Sequence, residues 1–318
     1  MASLAIGDGP DVLLLESEWI KDFASKGYLL PVESYLKNTP GSNILRLLLP
    51  TVEWNGYQWA TPFDMDPYVF VWQPKTLAEM GIVNPPITNK EWVNLLDKQM
   101  DRDGKSLLGI NAGEPYALAT LLGGMGANIL QTNDESLLWL EQAIPHMNII
   151  SNNKQEAWQL LLDGEMPLYL STYSEARSVR ADGLEVEFPG NFYNESPFYL
   201  RSRSFAVSSQ STISEQSAEW ISFMTSSPIQ QEWFDQTDRL PSLSLMYADN
   251  SSHGVQIPFR LELVQDPSVV NMQSSQMTRS AWNDLTVGVN KLLTGQMTVH
   301  QFKEAALVHT ITDSQVKD

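Results

Sequence analysis

The sequence predicts an α/β fold, and three observations carry that expectation. Capped helical segments alternate with short apolar strand-like runs, the pattern of helices layered on parallel sheets. With 318 residues, 42% of them hydrophobic and 18% charged, the composition is ordinary for a globular chain with a real core, and the length fits two domains better than one. No single linker, internal repeat or low-complexity tract divides the chain into consecutive halves, so the domains are expected to be discontinuous in sequence.

Each element has a local reason. Asp11-Val-Leu-Leu-Leu15 is a continuous apolar run, as for a strand buried on both faces. Ser17 is placed to cap a helix carrying Trp19 and Phe23 on one face, which stops at Gly27. Thr88 and Glu91 form a capping-box pattern ahead of Trp92, Leu95 and Leu96. Ala157, Leu160 and Leu161 share a helical face before Gly164, a natural stop. Ala218, Ile221 and Met224 recur at helical spacing before Pro228, and Leu285, Val289 and Leu292 do so before Gly295. Thr298 with Gln301 opens a last helix. Strands are expected at 167–172, 184–188 and 203–207, and an exposed loop at Asp249–Gly254.

Charge and composition remove several functions. With 38 acidic and 20 basic side chains the net charge is −18, which repels phosphate backbones and suits neutral or cationic ligands; no nucleic-acid partner is expected. The absence of cysteine removes disulfides, thiolate nucleophiles and cysteine-ligated metals. No apolar run reaches the length of a membrane span, and Met1–Gly7 lacks the basic start and apolar stretch of a signal peptide.

Catalytic signatures fail on inspection. Gly124-Met-Gly126 begins a dinucleotide fingerprint, but Ile129 stands at its third glycine. Gly104-Lys105-Ser106 resembles the end of a phosphate loop, yet Gln99 occupies the required upstream glycine. His146, His253, His300 and His309 do not form a metal-ligand pair with a nearby glutamate, and there is no G-x-S-x-G elbow. Asp64-Met-Asp66 reads either as a metal or sugar-nucleotide site or, more plainly, as two carboxylates at a strand end beside a proline-rich turn. Among 38 carboxylates, nothing singles out a glycosidase pair.

Several segments, taken in order, carry a resemblance. They are Gly7-Asp-Gly-Pro-Asp-Val12; Trp19 with Gly27-Tyr-Leu-Leu-Pro31 and Tyr35-Leu36; Trp54-Asn-Gly-Tyr-Gln-Trp-Ala-Thr-Pro62; and Trp72-Gln-Pro-Lys75 with Leu77–Ile82. Pro85-Pro-Ile-Thr-Asn-Lys-Glu-Trp92, the most specific, comes next, followed by Leu161–Leu170, Ala206-Val-Ser-Ser209, Ala218–Ser226, Leu240-Pro241 and Leu292–Thr298. Together they resemble the family 1 extracellular solute-binding proteins, the maltose-binding-like receptors of ABC importers, over nearly the whole chain. Trp72-Gln73 and Met166-Pro167 depart from that family's usual Tyr-Asn and Ala-Met.

The resemblance implies a two-lobed, periplasmic-binding-protein-like (type II) α/β fold with lobes discontinuous in sequence: 1–65 and 204–250 in a partial N-terminal lobe, 66–203 and 251–318 in the C-terminal lobe. It implies that an export signal and a first β-α-β unit precede the Pro10-Asp11-Val12 strand in relatives, leaving the N-terminal lobe incomplete here. It further implies a monomeric receptor, extracellular or periplasmic and lipid-anchored as a full-length lipoprotein. Such a receptor closes a cleft on a carbohydrate-like ligand and delivers it to membrane permease subunits, without cofactor, metal or catalysis. A glycoside-active enzyme and a non-transport sensor on the same fold are the alternatives.

Sugar recognition needs flat apolar faces and planar polar groups. Candidate faces are Trp59, Tyr68, Trp72, Tyr116 and Tyr173; candidate hydroxyl partners are Asp64, Asp66, Glu114, Arg201 and Arg239. Trp59 and Glu114 lead, because the resemblance places contacts in the turn before Pro62 and in the loop after Leu107–Ile110.

Overall fold

The structure is a computed structural model that describes residues 4, 8–34, 43–129, 134–151, 153–179, 183–187, 199–247 and 279–305. The expected loop Asp249–Gly254, His253, His309, Tyr35-Leu36, Phe188 and most of 251–318 lie outside the described residues. The chain divides into two compact units, Met1–Asp66 with Leu200–Arg279 (unit 1) and Pro67–Tyr199 with Ser280–Asp318 (unit 2).

In chain order the described strands are β1 (Val12–Glu16), β2 (Glu53–Trp54), β3 (Tyr57–Gln58), β4 (Thr61–Trp72), β5 (Gly109–Asn111), β6 (Asn148–Ile150), β7 (Leu168–Thr172), β8 (Glu185–Glu187), β9 (Leu200–Val207) and β10 (Leu240–Pro241). In unit 1, β9 lies between β1 and β4. β1 and β9 run antiparallel from Val12↔Val207 to Glu16↔Arg203, and β10 pairs with β4 at Leu240↔Met65 and Pro241↔Asp64. Apolar clusters around Ile20, Phe23 and Val52, and around Val32, Phe63, Phe205 and Ile221, form its core. β2 and β3 make a hairpin over Asn55-Gly56, both at positive φ (51° and 77°), the combination a two-residue turn demands.

Two expectations for this unit are corrected. β1 is not buried on both faces: it ends the described sheet and Leu14 is 42% exposed. Ser17 does not cap a helix. The chain forms a short 3-10 turn, Ser17–Trp19, before the helix Ile20–Ser25, and the Ser17 hydroxyl faces inward to Ser202 and Ser204 at 2.8 and 3.2 Å.

In unit 2 the sheet order is β4-β7-β5-β6, with β8 also on β4. β4 pairs antiparallel with β7 (Tyr68↔Thr172 to Trp72↔Leu168) and with β8. β5 pairs parallel with β6 and β7. The expected parallel character therefore holds only around β5, where helices bridge successive strands; β4 meets strands that return to it, so the sheet is mixed. The Thr88–Glu91 capping box is present at the helix Asn89–Met100, whose Trp92, Leu95 and Leu96 are buried. Leu285, Val289 and Leu292 form the buried stripe of the helix Arg279–Leu293, and Thr298 and Gln301 exchange capping hydrogen bonds. No helix of the described residues is long and apolar enough to cross a membrane.

Candidate ligand-binding site

Six of the ten predicted side chains gather into two groups, one in each unit. In unit 1, Asp64, Asp66 and Arg239 belong to a buried ion-pair node. Contrary to the expectation of a strand end, Asp64-Met-Asp66 lies within β4, all of it buried. Asp64, fully buried, accepts from Arg203 Nε at 3.1 and 3.2 Å, from Arg203 Nη2, from Trp233 Nε1 at 3.0 Å and from Arg239 Nη2 at 2.9 Å. Arg239 Nη1 donates to Asp66 at 3.0 Å. Burial disfavours charge on Arg239, but Asp64 above all, with Asp66 and Glu16, outweighs it and holds the guanidinium above its ordinary range. Two carboxylates and two guanidiniums neutralise one another, as a buried charge requires.

In unit 2, Tyr68, Glu114 and Tyr116 meet. Tyr68 lies on β4 and Glu114 immediately precedes the helix Pro115–Gly124. The Glu114 side chain makes no cap hydrogen bond and instead accepts from the Tyr68 hydroxyl at 2.9 Å. The Tyr116 ring packs 5.9 Å from Tyr68, 6.4 Å from Tyr199 and 4.6 Å from Trp282. Tyr68 and Tyr116 are buried; Glu114 and Trp282 are half-buried, so they are the group's exposed members. Below them, burial together with Glu175 and Glu114 pushes the Tyr169 phenol well up, which keeps it protonated. The group joins a half-buried indole packed on Tyr116 to a carboxylate held by the Tyr68 phenol, side-chain types suited to a polyhydroxylated ring.

The other four candidates have different neighbours. Trp59, half-buried, packs on the unit 1 core, donates Nε1 to Trp54 O at 2.8 Å and lies 5.9 Å from the Trp54 ring. Trp72 is 5% exposed, between β7 and β8, and its Nε1 is buried with no hydrogen-bond partner among the described residues. Tyr173 opens the helix Tyr173–Val179 beneath the Arg177 guanidinium, 6.0 Å from its ring centre. Arg201 pairs with Glu16 at 3.0 Å, from β9 to β1. Trp282, Tyr199, Arg203 and Trp233 escaped the sequence reading. Trp282 continues the 282, 285, 289, 292 stripe and so reads as core, while Arg201 and Arg203 alternate with serines that gave no hint of a buried carboxylate. Among the described residues no cluster of three or more histidine or carboxylate side chains could hold a metal.

Residues 1–255 match the family described as bacterial extracellular solute-binding protein. The chain belongs to that family. A relative of this solute-binding protein is the maltotriose-binding protein of Pyrococcus abyssi, 23% identical over an alignment of 196 residues that covers 58% of this chain and 42% of the relative. The chain thus matches less than half the length of that curated relative. Among solved structures, the GacH receptor of Streptomyces glaucescens, determined unliganded and with acarbose, superposes with a TM-score of 0.74 at 16% identity, covering 98% of this chain and 86% of that one. The maltose-bound MalE3 of T. maritima gives 0.72 at 17% identity, covering 99% and 87%. At these identities the likeness speaks for the fold, which is that of the two-lobed periplasmic sugar-binding proteins.

Proposed function

We propose that this solute-binding protein is the receptor of a carbohydrate ABC importer. On this reading it binds a neutral sugar or oligosaccharide without turning it over and passes it to the importer's membrane permease subunits. It works outside the cytoplasm as a monomer, held to the membrane by a lipid anchor in its full-length form. The observation that supports this best is the Trp282–Tyr116 pair, a half-buried indole 4.6 Å from a buried tyrosine, together with the Glu114 carboxylate fixed by Tyr68. Sugar C–H faces stack on the indole, and Glu114 accepts hydroxyl hydrogens. The names of the relatives, a maltotriose-binding protein and a receptor solved with acarbose, support the same ligand class.

The test is a titration with maltose, maltotriose and longer oligosaccharides, with product formation followed in the same samples. Trp282→Ala is expected to weaken binding by about 2 kcal/mol, some thirtyfold. Glu114→Gln, which keeps an acceptor, should cost less. Binding by neither the maltose series nor other neutral oligosaccharides, or accumulation of hydrolysis product, would overturn the reading.

A further inference from the structure

Glu114 reaches the Tyr68 hydroxyl from a turn that is held residue by residue. β5 ends at Asn111, and its base is tightly packed: a Cβ on Gly109 would lie 2.8 Å from the Tyr169 ring and 2.9 Å from the end of the Met166 side chain. Ala112, fully buried, donates its N–H to Ile150 O of β6 at 3.0 Å. Asn111 holds the next two residues. Its Oδ1 accepts from the Gly113 N–H at 2.9 Å, and its backbone carbonyl accepts from the Glu114 N–H at 3.3 Å. A side-chain carbonyl that accepts from the backbone two residues on imitates a turn of the main chain, and asparagine and aspartate have the reach for it. On its other side Glu114 is held by the helix Pro115–Gly124, whose Ala117 N–H donates to Glu114 O at 2.9 Å.

Glu114 stands at the N-cap of that helix with extended backbone (φ −121°, ψ 93°), a position where shorter side chains turn inward to cap. Its carboxylate goes to the Tyr68 hydroxyl at 2.9 Å instead. The direction in which the side chain leaves the backbone is set by the turn from Asn111. We propose that Asn111 is a positioning residue: its side chain fixes the turn that points Glu114 at the Tyr68 hydroxyl. Asn111 is half-buried and Gly113 is exposed, so water competes for the Gly113 N–H once the acceptor is gone, and the turn gains alternatives. All of these residues belong to unit 2. The consequence for sugar affinity rests on the site reading above, whereas the consequence for the Tyr68–Glu114 bond does not.

The experiment has two arms, both in the full chain. The first needs no sugar. A double-mutant cycle of Tyr68→Phe and Glu114→Ala, read by urea unfolding, measures the coupling of the two side chains. It is expected to be about fivefold in the unfolding constant with Asn111 in place and to vanish in Asn111→Ala. Asn111→Asp retains an acceptor and should retain the coupling. If the alanine variant fails to fold, Asn111→Ser, a weaker turn former, replaces it, and the coupling should shrink. Coupling absent in the wild-type background, or equal with and without the Asn111 acceptor, would overturn the proposal. The second arm is titration with maltotriose: Asn111→Ala should bind about tenfold more weakly, with Asn111→Asp near wild type. In a Glu114→Ala background Asn111→Ala should cost no further affinity; an undiminished loss there would mean that Asn111 acts by another route, and would equally overturn it. A wild type that binds no sugar would fault the site reading and leave the urea cycle to decide this one.

Discussion

The node in unit 1 and the aromatic group in unit 2 draw on the same residue types, yet they are differently employed. In the node, Asp64 is surrounded by two guanidiniums and an indole N–H, and it is fully buried. In the aromatic group, Glu114 is half-buried, turned away from its own helix, and beside tyrosines that end at a half-buried tryptophan. The difference does not lie in residue type or in β4 as such. It lies in whether the carboxylate is held among buried cations, as Asp64 is, or by a phenol at a half-buried position, as Glu114 is.

The sharpest way to break the comparison is to remove Asp64. Asp64→Ala takes from Arg203 and Arg239 the carboxylate they share and leaves Asp66 to Arg239, and loss of one partner in a buried charge network costs about 3–5 kcal/mol. Urea unfolding should show that loss in the midpoint. A change below about 1 kcal/mol would mean the node is screened as a surface pair is, and the contrast with Glu114 would fall.

Two tryptophans sharpen it next. Trp59 packs on the core and spends its N–H on Trp54, so Trp59→Ala should cost stability, about 2 kcal/mol for a half-buried ring, and leave the affinity of the folded fraction intact. Trp282→Ala should do the reverse, as set out above. Measuring unfolding and sugar titration on both variants separates an indole that builds the hairpin from one that meets ligand. If Trp59→Ala lost affinity and kept its stability, the assignment of the two rings would have to be exchanged.

How much of this the sequence disclosed follows from range. Local grammar was legible: the Thr88–Glu91 box and the stops at Gly27 and Gly164 all depend on neighbours within a few residues. The strands at 11–15, 167–172 and 203–207 were legible too, although β9 extends back to Leu200; β4, which passes through Pro62 and Pro67, was not. Partners far apart in the chain were not. Arg203 reaches Asp64 across 139 positions and Arg239 reaches it across 175, so nothing near Asp64 indicates that it is neutralised. Trp282 was hidden for a different reason: its spacing is that of a buried stripe, and only the Tyr116 ring shows where its exposed face lies. That β1 ends the described sheet was not legible in its own residues, because an apolar pentapeptide reads the same at the edge of a sheet as at its centre.

The smallest expected effect concerns a third kind of carboxylate, one held by neither cations nor aromatics. Glu91 accepts from the backbone N–H of Ile87 at 2.9 Å and of Thr88 at 3.0 Å, and from the Thr88 hydroxyl at 3.0 Å. The Ile87 bond first, with the Thr88 bonds, holds its carboxyl below the ordinary range against a smaller opposing effect of burial. A depressed folded-state value means that the unfolded chain binds the proton more readily. The stabilisation is therefore present above the ordinary glutamate value and is lost as pH falls through the folded one. Because Glu91 is exposed, the effect is modest: Thr88→Ala, which removes the cap from this helix, should cost about 1 kcal/mol near neutral pH. The same substitution made in strong acid should cost less, since protonated Glu91 no longer contributes its charge-assisted bonds. Unfolding curves of wild type and Thr88→Ala at pH 7 and near pH 3 test this, and the gap between them should narrow. A constant gap would show that the cap acts through the Thr88 hydroxyl and Glu91 N–H alone, and that the Glu91 carboxylate, unlike Asp64, adds nothing to the unit that holds it.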